Sequence, residues 1–166
     1  MLPALTGDPI RVEIRRSLGP HLAATSIPTR TILLDRLVLA RPGEFERILV
    51  HELFHFAWVR LGNPRRRDWE RVLEAEFALH APGELGWSAE WRKKKVRVSV
   101  IRKRTAAWRR YACESFCDSA AWMFAELERH DEFTLPARFR RIRRQWFERN
   151  IGSGPSGSGF EGPVRI

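Results

Sequence analysis

Two segments in the first part of the chain have the hydrophobic pattern of strands. Residues 10–16 alternate apolar and charged side chains, and residues 31–40 are mostly apolar and compatible with β-structure. Because successive side chains of a strand point to opposite faces, this alternation predicts a strand with one buried face. The segment between them, 19–29, contains glycine and two prolines and predicts turns.

Four later segments repeat apolar residues at intervals of three and four, as the buried face of a helix requires. The first is predicted to begin at Glu44 and to stop at Gly62-Asn63-Pro64, a strong stop signal. The second is predicted to begin after Asp68, whose side chain can cap it. This second helix is predicted over 69–80, and the other two over 102–129 and 138–149; the last of them is basic and amphipathic.

One short segment leaves the number of strands open, because residues 96–101 fit either a strand or a helix. The whole pattern predicts an α+β fold, mostly helical, with a small sheet of two to four strands. At 166 residues the chain is long enough for one core, so we expect a single domain over 1–150. Residues 151–166 are rich in Gly, Ser and Pro, and we expect them to form a flexible tail.

The first predicted helix carries three polar side chains among apolar ones, His51, Glu52 and His55. Residues four apart lie one turn above each other in a helix, so the two imidazoles can bind the same ion. A carboxylate at position 52 can reach a zinc-activated water and act as a general base. Buried polar side chains need a partner, and a metal ion supplies one. The pattern is the HExxH motif of zinc metalloproteases.

A catalytic zinc site needs a third protein ligand besides the two histidines. The extended pattern HExxHxxGxxH is excluded, because its Gly and last His positions hold Trp58 and Leu61. His80 and His130 are candidates in principle, but neither comes with a second polar residue at helical spacing. The third ligand is therefore sought in another segment.

Glu114 and Asp118 offer that spacing on the long helix predicted over 102–129. They lie four residues apart, on one helical face, among apolar neighbours. Glu114 can bind the zinc, and Asp118 can accept the free N–H of one histidine and thereby fix its tautomer and direction. Both half-buried carboxylates would then have a partner, the zinc ion for Glu114 and the histidine N–H for Asp118.

The motif HExxH followed by a helical ExxxD resembles the gluzincin metallopeptidases, the thermolysin-like group. The resemblance covers the two motif helices and the strand before the first of them. It implies a zincin-like domain with a small sheet packed on two zinc-binding helices. It also implies that His51, His55 and Glu114 bind Zn²⁺, that Glu52 is the general base, and that Asp118 orients a histidine. The expected function is zinc-dependent hydrolysis of peptide bonds, with a peptide or protein as the substrate.

The group that supports the transition state has no motif here. Tyr111, the only tyrosine, lies one turn before Glu114 and is a candidate catalytic residue, although a core tyrosine is the favoured interpretation. His130, Arg109 and Arg110 are further options. For substrate binding, an edge strand close to the metal can pair with an extended peptide, and 31–40 is predicted to be that strand.

The charge of the chain supports an alternative function. Thirty Lys and Arg against twenty Asp and Glu give a net charge of +10. Basic runs interleaved with aromatic residues are typical of surfaces that bind phosphates and stack bases. The alternative is a basic nucleic-acid-binding protein with a structural or inactive zinc site. The basic segments are 92–95, 102–104, 109–110 and 138–144, and the interleaved aromatic residues are Trp91, Trp108, Phe139 and Trp146.

The two cysteines, Cys113 and Cys117, lie four apart in a predicted helix. A disulfide within one helical turn would be strained, so we expect reduced thiols. Two thiols without a second pair are a weak metal signal, and we expect small apolar core residues. No apolar run approaches the roughly 20 residues of a membrane-spanning helix, and the N-terminus lacks a signal-peptide layout. We therefore expect a cytoplasmic protein without a membrane partner.

Overall fold

The computed structural model describes residues 2–151 and 163–166. Over these residues the fold is α+β, and helices predominate, as the sequence predicts. None of the described helices is both long and apolar enough to cross a membrane. A short 3-10 helix covers Arg36–Ala40. The α-helices are α1 (Glu44–Arg60), α2 (Gly62–Ala78), α3 (Trp87–Lys93), α4 (Val98–Arg102), α5 (Ala106–Phe124) and α6 (Ala137–Asn150).

The strands form two small sheets. Their bounds are β1 (Leu5–Thr6), β2 (Arg11–Arg15), β3 (Ala23–Ser26), β4 (Thr31–Asp35) and β5 (Val164–Arg165). The larger sheet has the order β2-β4-β3, with β2 parallel and β3 antiparallel to β4. The smaller one pairs β1 with β5 in parallel. Because β4 is hydrogen-bonded on both sides, β2 and β3 are the edges of the larger sheet in the described part of the chain.

The predicted strand over 31–40 is wrong in two respects. It ends at Asp35, whose carboxylate accepts hydrogen bonds from the backbone N–H groups of Leu18 and Leu37 and so starts the 3-10 helix. It is also the central strand, so it cannot take up a substrate strand. Of the two edges, β3 is the one that packs beside α1, and it lies within the segment 19–29 predicted to be turns. Its four residues, Ala-Ala-Thr-Ser, are too few to show an alternating pattern.

Two predicted helix starts are also corrected. Gly62-Asn63-Pro64 ends α1 as predicted, but α2 begins at once, because a proline in the first turn lacks only an N–H that would be unpaired there. Asp68 therefore lies inside α2 and accepts a hydrogen bond from the Trp146 indole. The helix predicted from 102 begins at Ala106, where the Thr105 hydroxyl caps the N–H of Trp108.

The structure also tests the predictions for residues 96–101, 138–149 and the C-terminal tail. Part of the ambiguous segment 96–101 lies in α4, so its strand alternative is wrong. The helix predicted over 138–149 is confirmed as α6. Most of the predicted flexible tail, 152–162, lies outside the described residues. The last strand, β5, instead pairs with β1 and buries Val164, so those residues belong to the fold.

The two motif helices, α1 and α5, pack against each other across an aromatic core. Phe54 of α1 and Phe116 of α5 have ring centroids 5.8 Å apart, and Phe116 stacks on Phe147 of α6 at 5.1 Å. Trp69 and Trp146 close the cluster with edge contacts. These large rings bury enough apolar surface to hold α1 and α5 in a fixed relation. The polar faces of both helices then meet at one end of the core.

A fully buried ion-pair network lies beside this core. Arg143 of α6 donates to Glu76 at 2.6 and 2.9 Å and to Glu84 at 2.8 Å. Glu84 also accepts a hydrogen bond from the Tyr111 hydroxyl at 2.5 Å and pairs with Lys93 Nζ at 3.2 Å. Buried charges are costly to desolvate, so the stability of this region depends on the network being complete.

Glu84 links the free energy of unfolding to pH. Burial alone would raise the pKa of this carboxyl, but the charge and hydrogen bond of Arg143 outweigh burial and lower it. Its contribution is therefore present above the unfolded-state pKa of about 4.3 and is lost as pH falls through the lower folded-state value. We expect urea unfolding from about pH 6 to about pH 3 to show a smaller loss of stability for Glu84→Gln than for the wild type. An equal loss in both proteins would contradict this assignment.

Candidate metal centre

Helix α1 presents two imidazoles on one face. The ring centroids of His51 and His55 are 5.0 Å apart, with the rings at 76° to each other. His51 is 7% exposed and Glu52 is 8% exposed, whereas His55 is partly buried. The HExxH residues thus lie at the boundary between the core and solvent, where polar side chains can face a ligand.

Asp118 of α5 orients the first histidine. Its Oδ1 lies 2.7 Å from His51 Nδ1, and its Oδ2 accepts the backbone N–H of Ala89 at 3.0 Å. Asp118 is 1% exposed. The backbone passes so close that a Cβ at Gly86 would lie 2.2 Å from Asp118 Cγ, which explains glycine at the start of α3. With Nδ1 engaged by Asp118, Nε2 is the His51 nitrogen left to contact another group.

Glu114 lies against that Nε2. The distance from Glu114 Oε2 to His51 Nε2 is 3.4 Å, and the other oxygen, Oε1, pairs with Arg92 of α3 at 3.1 Å. Two ligand atoms about 2.0–2.1 Å from a tetrahedral zinc are separated by about 3.3–3.4 Å. The observed spacing therefore suits two ligands of one ion. Arg92, which the sequence analysis placed on a basic surface, balances the second oxygen.

The two cysteines border the same site. Cys113 Sγ is 3.5 Å from His55 Nδ1. Cys117 is fully buried, and its Sγ lies with a nitrogen of each histidine in a group whose atoms are all within 4.8 Å of one another. Both thiols are free. The expectation of a buried core residue is confirmed for Cys117, but the same side chain is also a potential metal donor, a role for which the sequence contains only a weak signal.

The sheet contributes Thr25, which the sequence analysis did not consider. Its hydroxyl, on edge strand β3, donates a hydrogen bond of 2.5 Å to Glu52 Oε2. Because β3 itself was not predicted, no sequence signal pointed to this residue. The contact fixes the direction of the Glu52 carboxylate and joins the sheet to the motif helix.

A cavity of about 240 Å³ opens beside His51 and Glu52, the first two residues of the motif. Ala23 of β3 and Trp87 of α3 also line it, whereas His55 and Glu114 are not among its lining residues. His21, also missed from the sequence, lines the same cavity. Trp87 is 65% exposed. The cavity therefore offers both an edge strand and an exposed aromatic side chain next to the polar cluster.

Acidic groups dominate the electrostatics of the cluster. Burial lowers the pKa of His51, but Asp118 and Glu114 outweigh it and raise that pKa well above its usual value. Burial likewise lowers the pKa of His55, and the Cys113 hydrogen bond raises it on balance. Burial raises the pKa of Glu114, yet the hydrogen bond and charge of His51 bring it to about 2. The carboxylates thus favour the protonated, positively charged form of the imidazoles. A divalent cation bound there would supply the positive charge in place of the protons.

The pKa values of the Cys113 and Cys117 thiols are shifted in opposite directions. The hydrogen bond with Cys117 is the main reason that the pKa of Cys113 falls to about 6, and the hydrogen bond with His55 adds to it against burial. Burial raises the pKa of Cys117 well above its ordinary value. The pair therefore shares one proton more readily than two isolated thiols would.

Other candidates from the sequence lie elsewhere. The prediction of Tyr111 as a catalytic residue is corrected. Its hydroxyl donates to Glu84 in the buried network, and its ring packs on Phe77 and Trp108. Tyr111 is therefore a core residue and does not face the cluster. His80 is exposed after α2. The other candidates for supporting the transition state have these positions. His130 pairs with Glu44 at 3.3 Å, Arg109 donates to the Arg104 carbonyl, and Arg110 is exposed.

A second acidic group, Glu44, His130 and Glu132, could also hold a cation by its spacing. Arg47 already pairs with both of its carboxylates, at 2.7 Å to Glu44 and 2.8 Å to Glu132. The guanidinium supplies the positive charge that these acids need. This group is an ion-pair network that ties α1 to the segment before α6.

The basic surface loses most of its aromatic component. Trp108, Phe139 and Trp146 are buried, which leaves Trp91, 58% exposed and covered by Lys95 Nζ at 3.3 Å from the ring centroid. Several of the basic side chains pair with acids, and these are Arg92, Lys93, Lys94, Arg104 and Arg143. The structure thus weakens the stacking argument for nucleic-acid binding, and the binding itself stays a prediction.

Comparison with protein-family models, with curated proteins and with solved structures finds no match for this chain. The assignment of a function therefore depends on the geometry of the cluster itself.

Proposed function

We propose that this protein is a zinc-dependent metallopeptidase with a zincin-like fold. The observation that carries the proposal is the convergence of α1 and α5: Glu114 Oε2 lies 3.4 Å from His51 Nε2 while Asp118 holds Nδ1 of the same ring. An imidazole with a carboxylate on one nitrogen and a second acidic oxygen near the other is compatible with a metal ligand, its outer partner and a neighbouring ligand. The α+β fold with a small sheet beside the motif helix agrees with this proposal.

The donor set fits Zn²⁺. His51 and His55 supply nitrogen donors, and Glu114 supplies an oxygen, which makes the three-ligand set of a catalytic zinc site. Arg92 contacts only one oxygen of Glu114, so the other oxygen is left to share a cation with His51. Imidazole nitrogen suits zinc better than it suits the hard cations Mg²⁺ and Ca²⁺.

In the proposed reaction Glu52 is the general base. Zinc, when bound, would polarise the scissile carbonyl and lower the pKa of water. The Glu52 carboxylate lines the cavity, so it can accept a proton from the attacking water and return it to the leaving amine. Thr25 holds Oε2 of Glu52, which leaves Oε1 for that proton. Asp118 keeps His51 in the tautomer that a ligand requires.

The substrate would bind along β3. This strand is an edge of the sheet and borders the cavity at Ala23, so an extended peptide can pair with its free main-chain groups. Trp87 would cover the opposite side of the peptide. This proposal replaces 31–40 with Ala23–Ser26 as the substrate strand.

Metal analysis tests the proposal. We expect the purified protein to contain about one zinc per chain, and expect His51→Ala and Glu114→Ala to lose it, because each removes a ligand. His80→Ala, which changes an exposed histidine, is the matched control and should keep the metal. A wild-type protein that binds no zinc even when zinc is supplied would refute the proposal. Unchanged zinc in Glu114→Ala would show that another residue is the third ligand.

A further inference from the structure

We propose that the thiolate of Cys117 is a fourth metal ligand, together with His51, His55 and Glu114. The inference rests on the metal binding proposed above and extends it to a sulfur donor. It gives this site a composition, two nitrogens, one oxygen and one sulfur, that the HExxH and ExxxD motifs do not contain.

The first support is the position of Cys117 on α5. It lies three residues after Glu114, so the two side chains share one helical face toward α1. Its Sγ is within 4.8 Å of a nitrogen of each histidine. With Zn–N near 2.0–2.1 Å and Zn–S near 2.3 Å, tetrahedral nitrogen and sulfur ligands lie about 3.5 Å apart, so binding of an ion would draw Sγ and the two nitrogens together from separations of up to 4.8 Å.

The second support is the different environment of the two thiols. Cys113 contacts Nδ1 of His55, at 3.5 Å. If Nε2 of this ring binds the metal, the thiol is on the opposite nitrogen and does not compete with the ion. Cys113 therefore holds His55 as Asp118 holds His51. Cys117 Sγ, in contrast, lies within 4.8 Å of a nitrogen of both histidines, which is the position of a ligand shared by the two. The pair thus contains one positioning thiol and one binding thiol.

A sulfur ligand changes which metal ions the site prefers and how many coordination positions remain for water. Thiolate donors favour Zn²⁺ over the hard cations Mg²⁺ and Ca²⁺. Four protein ligands also complete the tetrahedral shell, which is the pattern of closed zinc sites. Cys117 would then hold the fourth position in the free protein and would have to release the ion before water takes part in hydrolysis.

Cobalt substitution tests the ligand directly. Co²⁺ bound to a thiolate has an intense near-ultraviolet charge-transfer absorption, which nitrogen and oxygen ligands alone do not give. The full chain, loaded with Co²⁺, should show this band together with the visible absorption of four-coordinate Co²⁺. We expect Cys117→Ser to lose the charge-transfer band. Cys113→Ser should keep the band, because Cys117 retains its sulfur and the new serine hydroxyl can still contact His55 Nδ1.

The outcomes separate this inference from the proposed function. Four-coordinate visible absorption without a charge-transfer band in the wild type would overturn the sulfur ligand and leave the metal site intact. A band that disappears in Cys113→Ser but survives in Cys117→Ser would also overturn it. If neither Co²⁺ nor Zn²⁺ binds, the proposed function fails with it. X-ray absorption of the zinc-loaded wild type needs no variant that might misfold: a sulfur shell at about 2.3 Å supports the ligand, and its absence overturns it.

Discussion

Glu52→Gln is expected to keep its zinc and to lose peptide hydrolysis by roughly 10²–10⁴-fold, the usual contribution of general acid–base catalysis. Glutamine keeps the size of the side chain and an oxygen that can accept the Thr25 hydrogen bond, so the fold and the cavity should not change. It cannot accept a proton from water. The measurement is kcat/KM on the best peptide from a library screen, together with the metal content of the same sample.

Glu46→Gln is the control for that variant, because it makes the same chemical change on an exposed residue of the same helix. We expect its activity and metal content to equal those of the wild type. Hydrolysis that survives in Glu52→Gln at full zinc occupancy would rule out Glu52 as the base. A loss of zinc in Glu52→Gln would instead indicate that this carboxylate takes part in holding the metal.

Arg143→Met is expected to have the largest effect on stability, a loss of about 3–5 kcal/mol in the free energy of unfolding, because it leaves buried acids without their cation. Arg143 and Glu84 have no exposed surface, and Glu76 is 1% exposed. Lys93 reaches only Glu84, so the charge of Glu76 would remain uncompensated. Urea unfolding followed by tryptophan fluorescence measures the change.

Arg141→Met, two residues earlier on the exposed face of α6, is the control and should change the free energy of unfolding by less than about 0.5 kcal/mol. Adding Glu76→Gln and Glu84→Gln to Arg143→Met should restore part of the loss, because the uncompensated charges are then removed. A loss in Arg143→Met no greater than in Arg141→Met would show that the network is not essential for stability.

The parts of the candidate site that the sequence predicts are those set by helical spacing. His51 and His55 share a face because they lie four apart, and Glu114 and Asp118 share a face for the same reason. In the structure these two faces meet, with Asp118 on His51 Nδ1. The apolar residues around each motif imply burial, and two buried polar faces are stabilised by facing each other. The roles assigned to these residues stay predictions.

The parts that the sequence does not predict depend on contacts between distant segments. Thr25 reaches Glu52 only because β3 packs beside α1, and a four-residue strand has too short a pattern to be recognised. Arg92 lies in a basic run that is typical of a solvated surface, yet the packing of α3 on α5 brings it to Glu114. For Cys117 a signal was present, since it lies three residues after Glu114 on the same face.

Asp118 joins the proposed metal site to α3. One oxygen of this carboxylate contacts His51, and the other accepts the backbone N–H of Ala89 in α3. If His51 binds zinc as proposed, an ion that stabilises the oriented imidazole also stabilises the docked position of α3. Thermodynamic reciprocity then requires that a ligand which favours docked α3 strengthens metal binding by the same free energy. Metal affinity would in this way report on the position of a helix that carries none of the proposed ligands.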